Sequence, residues 1–165
     1  MYDCAIDIDN DINIKMIIFD LDDTLIKTHN DYIFMCYSVE PILKYLKSKN
    51  IKIGLASYNA NAARILKNIN LIEYFDVIKY ETWKNYYDLD FKKNMLINII
   101  NHTQIPHDEI LFLDDNVRCL YTAECLGINT SLVINGNIIE CIQQHLNIDD
   151  FNSFLSNNIQ YINKQ

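Results

Sequence analysis

The sequence predicts an α/β fold: one domain built on a parallel sheet of about five strands, with helices on both of its faces. Three observations predict it. Short, continuous apolar runs recur along the chain and are closed by polar residues, as strands buried on both sides are. Segments with apolar residues at helical spacing separate these runs, which is the pattern of βαβ units with right-handed crossovers. Two of the runs also end in clustered carboxylates, Asp20, Asp22 and Asp23 after the first and Asp114 and Asp115 after the fourth. That suits a sheet whose carboxyl edge carries the site.

The elements follow in order. Residues 1–13 alternate Asp, Asn and Ile and are expected to form an arm or an added edge strand ahead of a domain spanning 14–165. "KMIIFD" is the first strand. Residues 26–38 mix polar and aromatic side chains without a marked period. "VEPILKYLKSKN" sets Val39, Ile42, Leu43 and Leu46 on one helical face, with Pro41 in the first turn. "IKIGLAS" (51–57) is the second strand, and "NANAARILKNI" a helix with Ala62, Ile65, Leu66 and Ile69 inward. "YFDVIKY" (74–80) is the third strand, followed by a polar, aromatic-rich loop over 81–91. "KKNMLINIINHT" brings Met95, Leu96, Ile99 and Ile100 to one face, and "EILFLDD" (109–115) is the fourth strand. Val117, Leu120, Tyr121 and Cys125 line a helix that stops at Gly127. "TSLVI" (130–134) is the fifth strand, and 137–160 read as one or two helices. With no internal repeat, the chain reads as a single Rossmann-like, three-layer domain.

Composition narrows the function. A chain of 165 residues buries a real core. Its formal charge of −8 and the lack of a basic patch argue against nucleic acid; the densest lysines (Lys44, Lys47, Lys49, Lys52) read as the solvated end of a helix. Five cysteines without a C-x-x-C pair disfavour a zinc site and fit reduced thiols in a cytoplasmic compartment. The N-terminus is acidic, unlike a signal peptide, and the apolar runs are too short to cross a bilayer. His29, His102, His107 and His145 all fall away from the predicted strand ends.

The strand ends collect the chemistry. Asp20, Asp22, Asp23 and Thr24 follow the first strand, Ser57, Tyr58 and Asn59 the second, and Asp114, Asp115 and Asn116 the fourth. Lys92 and Lys93 open the helix before that fourth strand. Carboxylates gathered at one edge raise each other's pKa unless positive charge lies among them. A divalent cation supplies more of it than one or two lysines, and carboxylates, carbonyls and water suit Mg²⁺, which commonly shares its site with phosphate oxygens.

"DLDDT", a serine after the second strand, a lysine and "LFLDD" resemble, in order, the four motifs of the haloacid dehalogenase superfamily of phosphohydrolases, over residues 15–135. "YSVEPILKYL", "LASYN", "IPHDEILFLDDN" and "LGINTSLVING" are similar to stretches of its small magnesium-dependent phosphatases. Those phosphatases tend to carry an aromatic residue where Asp23 stands and an arginine where Tyr58 stands. The resemblance implies a Mg²⁺-dependent phosphomonoester hydrolase acting through an aspartyl-phosphate. Asp20 would be the nucleophile. Asp22 would be the general acid and then the general base, its backbone carbonyl facing the metal. Thr24 would orient the loop. Ser57, with Tyr58 and Asn59 beside it, would hold phosphate oxygens at the mouth of the next helix, Asn59 reading equally as a helix cap. A lysine would neutralise the transferring phosphoryl group: counting back from "IPHDEILFLDD" favours Lys92, with Lys93 the runner-up for phosphate contact and Lys84 third. Asp20, Asp22, Asp114 and Asp115 would hold Mg²⁺, Asp115 through water or by holding a neighbour, and Asn116 would cap the next helix or contact the site. Asp23 is expected to point away, because neighbours in an extended stretch alternate sides.

Only about fourteen residues separate Thr24 from the helix at 39, and Ser57 to Lys92 is filled by one helix, one strand and one loop. The expectation is therefore a capless protein with an open site, a small flap over 26–38, and an aromatic rim from Trp83, Tyr86, Tyr87 and Phe91. The substrate would be a phosphoprotein or a phosphosugar-type molecule, with no nucleic acid or membrane partner, and the protein a monomer or weak homodimer. Two other classes compete. A catalytically silent binding protein is disfavoured because Asp20 and Asp22 are both retained. A nucleic-acid 3′-end phosphatase is disfavoured by the acidic charge and the missing basic groove.

Overall fold

The run Met16–Phe19 forms strand β1, and its four side chains alternate between two separate cores. Ile17 and Phe19 enter one core, Met16 and Ile18 the other, so both faces of the sheet are covered. The computed structural model describes residues 13–29, 32–82, 90, 92–146 and 150–159. The expected N-terminal arm lies, but for Asn13, outside the described residues. So do Lys84, the third lysine candidate, and Trp83, Tyr86, Tyr87 and Phe91 of the expected rim.

Chain order after β1 is β2 (Ile26–His29), β3 (Tyr32–Met35), α1 (Val39–Ser48), β4 (Lys52–Ser57), α2 (Ala62–Asn68), β5 (Val77–Tyr80), α3 (Lys93–Thr103), β6 (Ile110–Asp114), α4 (Val117–Cys125), β7 (Asn129–Leu132), α5 (Ile138–His145) and α6 (Phe151–Ile159). Five strands make the main sheet, in the order β5-β4-β1-β6-β7, with parallel pairing throughout. The chain moves outward from β1 through β4 to β5, then crosses back to β6 and β7. Right-handed crossovers therefore carry α1 and α2 over one face and α3 and α4 over the other. Helices α5 and α6 return to the first face, where Ile138, Ile142 and Phe151 join Val39, Leu43 and Leu46 in the larger core. No helix among the described residues is long and apolar enough to cross a membrane.

Four details differ from the sequence expectation. Residues 26–35 contain an antiparallel hairpin, β2–β3, registered Ile26 to Met35 and His29 to Tyr32. All four residues of β3 are exposed, so the run YIFM has no buried face to impose the alternation by which a strand is read. The third strand begins at Val77 because Ile72–Tyr74 close into a 3₁₀ turn. The last strand runs Asn129–Leu132, ahead of the expected 130–134. In α4 the inward face is Cys119, Leu120 and Ala123, whereas Val117, Tyr121 and Cys125 are exposed. The two small residues admit close approach to the sheet, which the larger ones do not.

Gly54, inside β4, marks where that sheet is tightest. A Cβ there would lie 2.7 Å from Met16 Cε and 3.2 Å from Ile18 Cγ1, both on neighbouring β1. Gly54→Val should therefore destabilise by about 1–3 kcal/mol, the range for overpacking a core, although valine favours strands. A lowered urea midpoint with an unchanged slope is the expected result.

Candidate active site

The sheet order puts the turn of direction between β1 and β6. In the register Phe19 faces Leu113, so the next residues, Asp20 and Asp114, emerge side by side at the carboxyl edge. The Asp20 N–H, donating to the Leu113 carbonyl at 2.9 Å, carries the ladder one step further. Ligand sites of open α/β sheets lie at such a switch point.

After Asp20 the chain turns instead of extending. The Leu21 carbonyl accepts from the N–H groups of Leu25 and Ile26 at 2.9 and 3.0 Å, and the Asp23 N–H reaches the Ile26 carbonyl at 2.8 Å. Asp23 sits at φ 58°, the left-handed region that Asp tolerates better than most residues. This corrects the expected orientation of Asp23: strand alternation does not apply in a tight turn, and Asp23 lines the same cavity as Asp20 and Asp22. Thr24 is buried beneath the turn, and its hydroxyl has no hydrogen-bond partner among the described residues.

Lys92 binds the two strand ends together. Its Nζ donates to Asp20 Oδ1 at 2.5 Å and to Asp114 Oδ2 at 2.7 Å, with all three side chains buried. The residue stands just before α3 in a left-handed conformation, φ 70°, which swings its side chain inward. Tyr58 Oη accepts the Lys92 backbone N–H at 2.8 Å, and the Lys92 ammonium lies 6.0 Å from the centre of the Tyr58 ring. Tyr58, expected from sequence to contact phosphate, here holds the Lys92 backbone. Lys93 is the first residue of α3 and is exposed. It is not among the residues lining the cavity, since one step along a helix rotates a side chain by about 100°.

Asp22 is held by a second constellation. Asn59 Nδ2 donates to both of its carboxylate oxygens, at 3.0 and 3.2 Å. The Asn59 Oδ1 accepts the Asn61 N–H at 2.9 Å, and the Asn59 N–H donates to Ser57 Oγ at 3.1 Å. Asn59 therefore fixes Asp22 to the loop after β4. Ser57 is fully buried and lines the cavity; its oxygen accepts from Asn59, which leaves its hydroxyl proton for a ligand.

On the other side, Asp114 Oδ1 accepts the Asn116 N–H at 2.8 Å, and Asn116 Oδ1 caps α4 by accepting the Arg118 N–H at 3.0 Å. Asp20, Asp114 and Asp115 each present one carboxylate oxygen within 4.8 Å of the others. Asp22 is outside this trio. Three carboxylates against one ammonium leave two formal negative charges, the charge of one Mg²⁺, and three hard oxygens are the donors it takes. The donor set fits such an ion. Burial, tempered by the Lys92 ammonium and reinforced by Asp114, pushes the Asp20 carboxyl up to about 7. Burial and Asp114 also raise Asp115. Lys92 is raised: burial disfavours its charge, but Asp20 and Asp114 together outweigh that. Cys119, which sequence reasoning did not single out, also lines the cavity. Burial and the Asp114 charge push its thiol up to about 12, so it is no thiolate nucleophile near neutral pH.

Fold and site together define a class: a Rossmann-like α/β protein with an acidic, lysine-bridged site at the switch point of its sheet. Residues 27–133 match the family model of the haloacid dehalogenase-like hydrolases, and the chain belongs to that family. Lys92 and Asp114 lie within the matched span, and Asp20 and Asp22 precede it. Among solved structures, an N-terminal fragment of a Bacteroides fragilis protein, containing a phosphatase domain complexed with Mg, is similar with a TM-score of 0.60 and 20% identity over 81% of this chain and 40% of that one. A haloacid dehalogenase-superfamily hydrolase from Geobacter sulfurreducens gives 0.60 at 14% identity, over 78% and 99% of the two chains. A provisionally named beta-phosphoglucomutase from Thermotoga maritima gives 0.66 at 15%, over 81% and 100%. At these identities the likeness shows the fold. Among curated proteins, none matches the sequence significantly.

The raised Asp20 pKa has a sign that can be tested. An acid whose folded pKa lies above its unfolded value of 3.8 costs the fold stability as pH rises from there to about 7, and the full cost remains above. A bound cation offsets it. The rise in unfolding temperature on replacing EDTA by Mg²⁺ should be larger at about pH 8 than at about pH 5, and Asp20→Asn should shrink that difference. Equal increments at both pH values would count against a cation beside Asp20.

Proposed function

We propose that this protein is a Mg²⁺-dependent phosphomonoester hydrolase that works through an aspartyl-phosphate on Asp20. The observation that carries this reading is the Lys92 ammonium lying between Asp20 and Asp114, with Asp115 and Ser57 in the same cavity. A nucleophile, a cationic neutraliser, a hydroxyl donor and a hard-oxygen metal site then face one small volume of about 190 Å³.

In the first step an Asp20 carboxylate oxygen bonds to phosphorus, and the bond from phosphorus to the alcohol oxygen breaks. Asp22 gives that oxygen its proton. In the second step Asp22 takes a proton from water, whose oxygen attacks phosphorus. The bond to Asp20 then breaks, which returns the carboxylate and releases inorganic phosphate. Lys92 offsets the repulsion between Asp20 and the phosphoryl oxygens, and Ser57 donates its hydroxyl proton to one of them. Asn59 keeps Asp22 aimed at the leaving oxygen. When bound, Mg²⁺ held by Asp20, Asp114 and Asp115 and by the Asp22 backbone carbonyl would neutralise charge on the transferring group. Between Thr24 and α1 the described residues form only the hairpin β2–β3, which favours a capless, open site.

The test is hydrolysis of p-nitrophenyl phosphate, expected with Mg²⁺ and abolished by EDTA. Asp20→Asn should remove turnover, and Asp22→Asn should lower kcat by roughly 10²–10⁴-fold, the usual weight of a general acid. Asn59→Ala should lower kcat with little change in KM, since it misorients Asp22 without removing it. Persistent turnover by Asp20→Asn would exclude the aspartyl-phosphate route.

A further inference from the structure

The cavity at the carboxylates does not end there. It shares Asp23 and Asp115 with a second cavity of about 360 Å³, which is also lined by Lys27, Leu132 and Ile134. That one shares Lys27 and Asn135 with a third, of about 760 Å³, between the hairpin and α5. Through these shared residues the three cavities adjoin in series, a trough leading from the carboxylates to the space between the hairpin and α5.

We propose that the far end of this trough is the leaving-group subsite, and that the substrate is a small phosphomonoester of a bulky apolar alcohol or phenol. The proposal rests on the phosphatase reading and names its substrate class. Its first support is size. The carboxylate cavity, about 190 Å³, holds a phosphoryl group and little more, whereas the third falls within the roughly 300–1,000 Å³ of small-molecule sites. The second is chemistry. Phe34, Met35, Tyr37 and Ile139 give the third cavity an apolar wall beside Asn135, Asn137, Glu140 and Gln143, and Phe34 and Tyr37 are 54% and 63% exposed. Rings and a thioether left in water are stabilised by an apolar body laid on them.

The third support is that the pocket is built into the backbone. Gly136, at φ +73°, floors it, and a Cβ there would lie 2.5 Å from Cys36 Sγ. Only glycine lets the β7–α5 loop pass so close to the end of the hairpin. Lys27 marks the junction: it is half-buried, lines both outer cavities, and makes no ion pair among the described residues. It lines the middle cavity together with Asp23 and Asp115, so an anionic ester moving inward meets a cation there.

The experiment compares 2-naphthyl and phenyl phosphate, whose leaving groups have similar basicity but differ by one ring. With Mg²⁺, the wild-type protein should favour the naphthyl ester by about tenfold in kcat/KM, what burying one further ring is worth, and through KM. Phe34→Ser combined with Tyr37→Ser should erase that preference by lowering kcat/KM for the naphthyl ester to that for the phenyl ester; both side chains are exposed, so an unaltered unfolding temperature is the control. A preference that survives the double substitution, or an equal loss on both esters, would overturn the subsite. Calorimetry with Asp20→Asn and Mg²⁺ separates this from the catalytic reading. If the wild-type protein hydrolyses neither ester, the phosphatase reading fails. Tighter binding of 2-naphthyl phosphate that depends on Phe34 and Tyr37 then still upholds the pocket, and equal binding of the two esters refutes it.

Discussion

The Lys92 ammonium, enclosed by Asp20 and Asp114, ties together segments that the chain separates by 72 and 22 residues. None of the three side chains is exposed, so each charge depends on the others for what water would otherwise provide. Taking one partner from such a cluster leaves an uncompensated buried charge, a loss of about 3–5 kcal/mol in comparable cases. The surrounding backbone is arranged to keep the cluster closed. Lys92 adopts a left-handed conformation that a non-glycine residue enters at a cost of roughly 1–2 kcal/mol, and Tyr58 satisfies the N–H this exposes. Strain of this kind persists where the surroundings over-determine it, and it concentrates at functional sites.

One ammonium is not enough for this edge of the sheet. With Asp115 beside them, the carboxylates carry more negative charge than Lys92 cancels; burial, with the Asp114 charge adding to it, pushes Asp20 up to about 7 although a lysine touches it. The fold is thus left with an electrostatic cost that a cation relieves. Burial, and after it the Asp114 charge, keep Cys119 a thiol: a thiolate there would add a further negative charge in a poorly solvated place.

The core strands were legible because parallel strands buried on both faces read as continuous apolar runs. "MIIF" and "ILFLD" show no alternation, yet they sit fully buried at the centre of the sheet. Asp20 and Asp114 were legible with them, as the first polar residues at those strand ends. What the letters did not carry was direction. The turn that points Asp23 inward depends on hydrogen bonds to Leu21 and Ile26; counting back from the fourth strand favours Lys92, but it cannot show the left-handed backbone that turns its side chain inward. The hairpin was missed because β3 has no buried face. The inner face of α4 was misjudged because the sheet selected small residues where hydrophobicity pointed to Val117 and Tyr121.

That unevenness follows from how the molecule divides its labour. Asp20, Ser57, Lys92 and Asp114 stand on or beside elements of the two cores, so the forces that fold the sheet also set their positions. Hairpin β2–β3 is anchored differently: Leu25 and Ile26 are buried at its base, and the Cys36 N–H ties its return to the Leu25 carbonyl at 2.8 Å. Between those anchors Tyr32 to Met35 project into solvent. A base fixed by the core and a tip free of it can change its side chains with little effect on folding, since surface substitutions away from buried features cost little. The buried charge cluster is thereby tied to the stability of the fold, while the exposed strand beside it is free to vary.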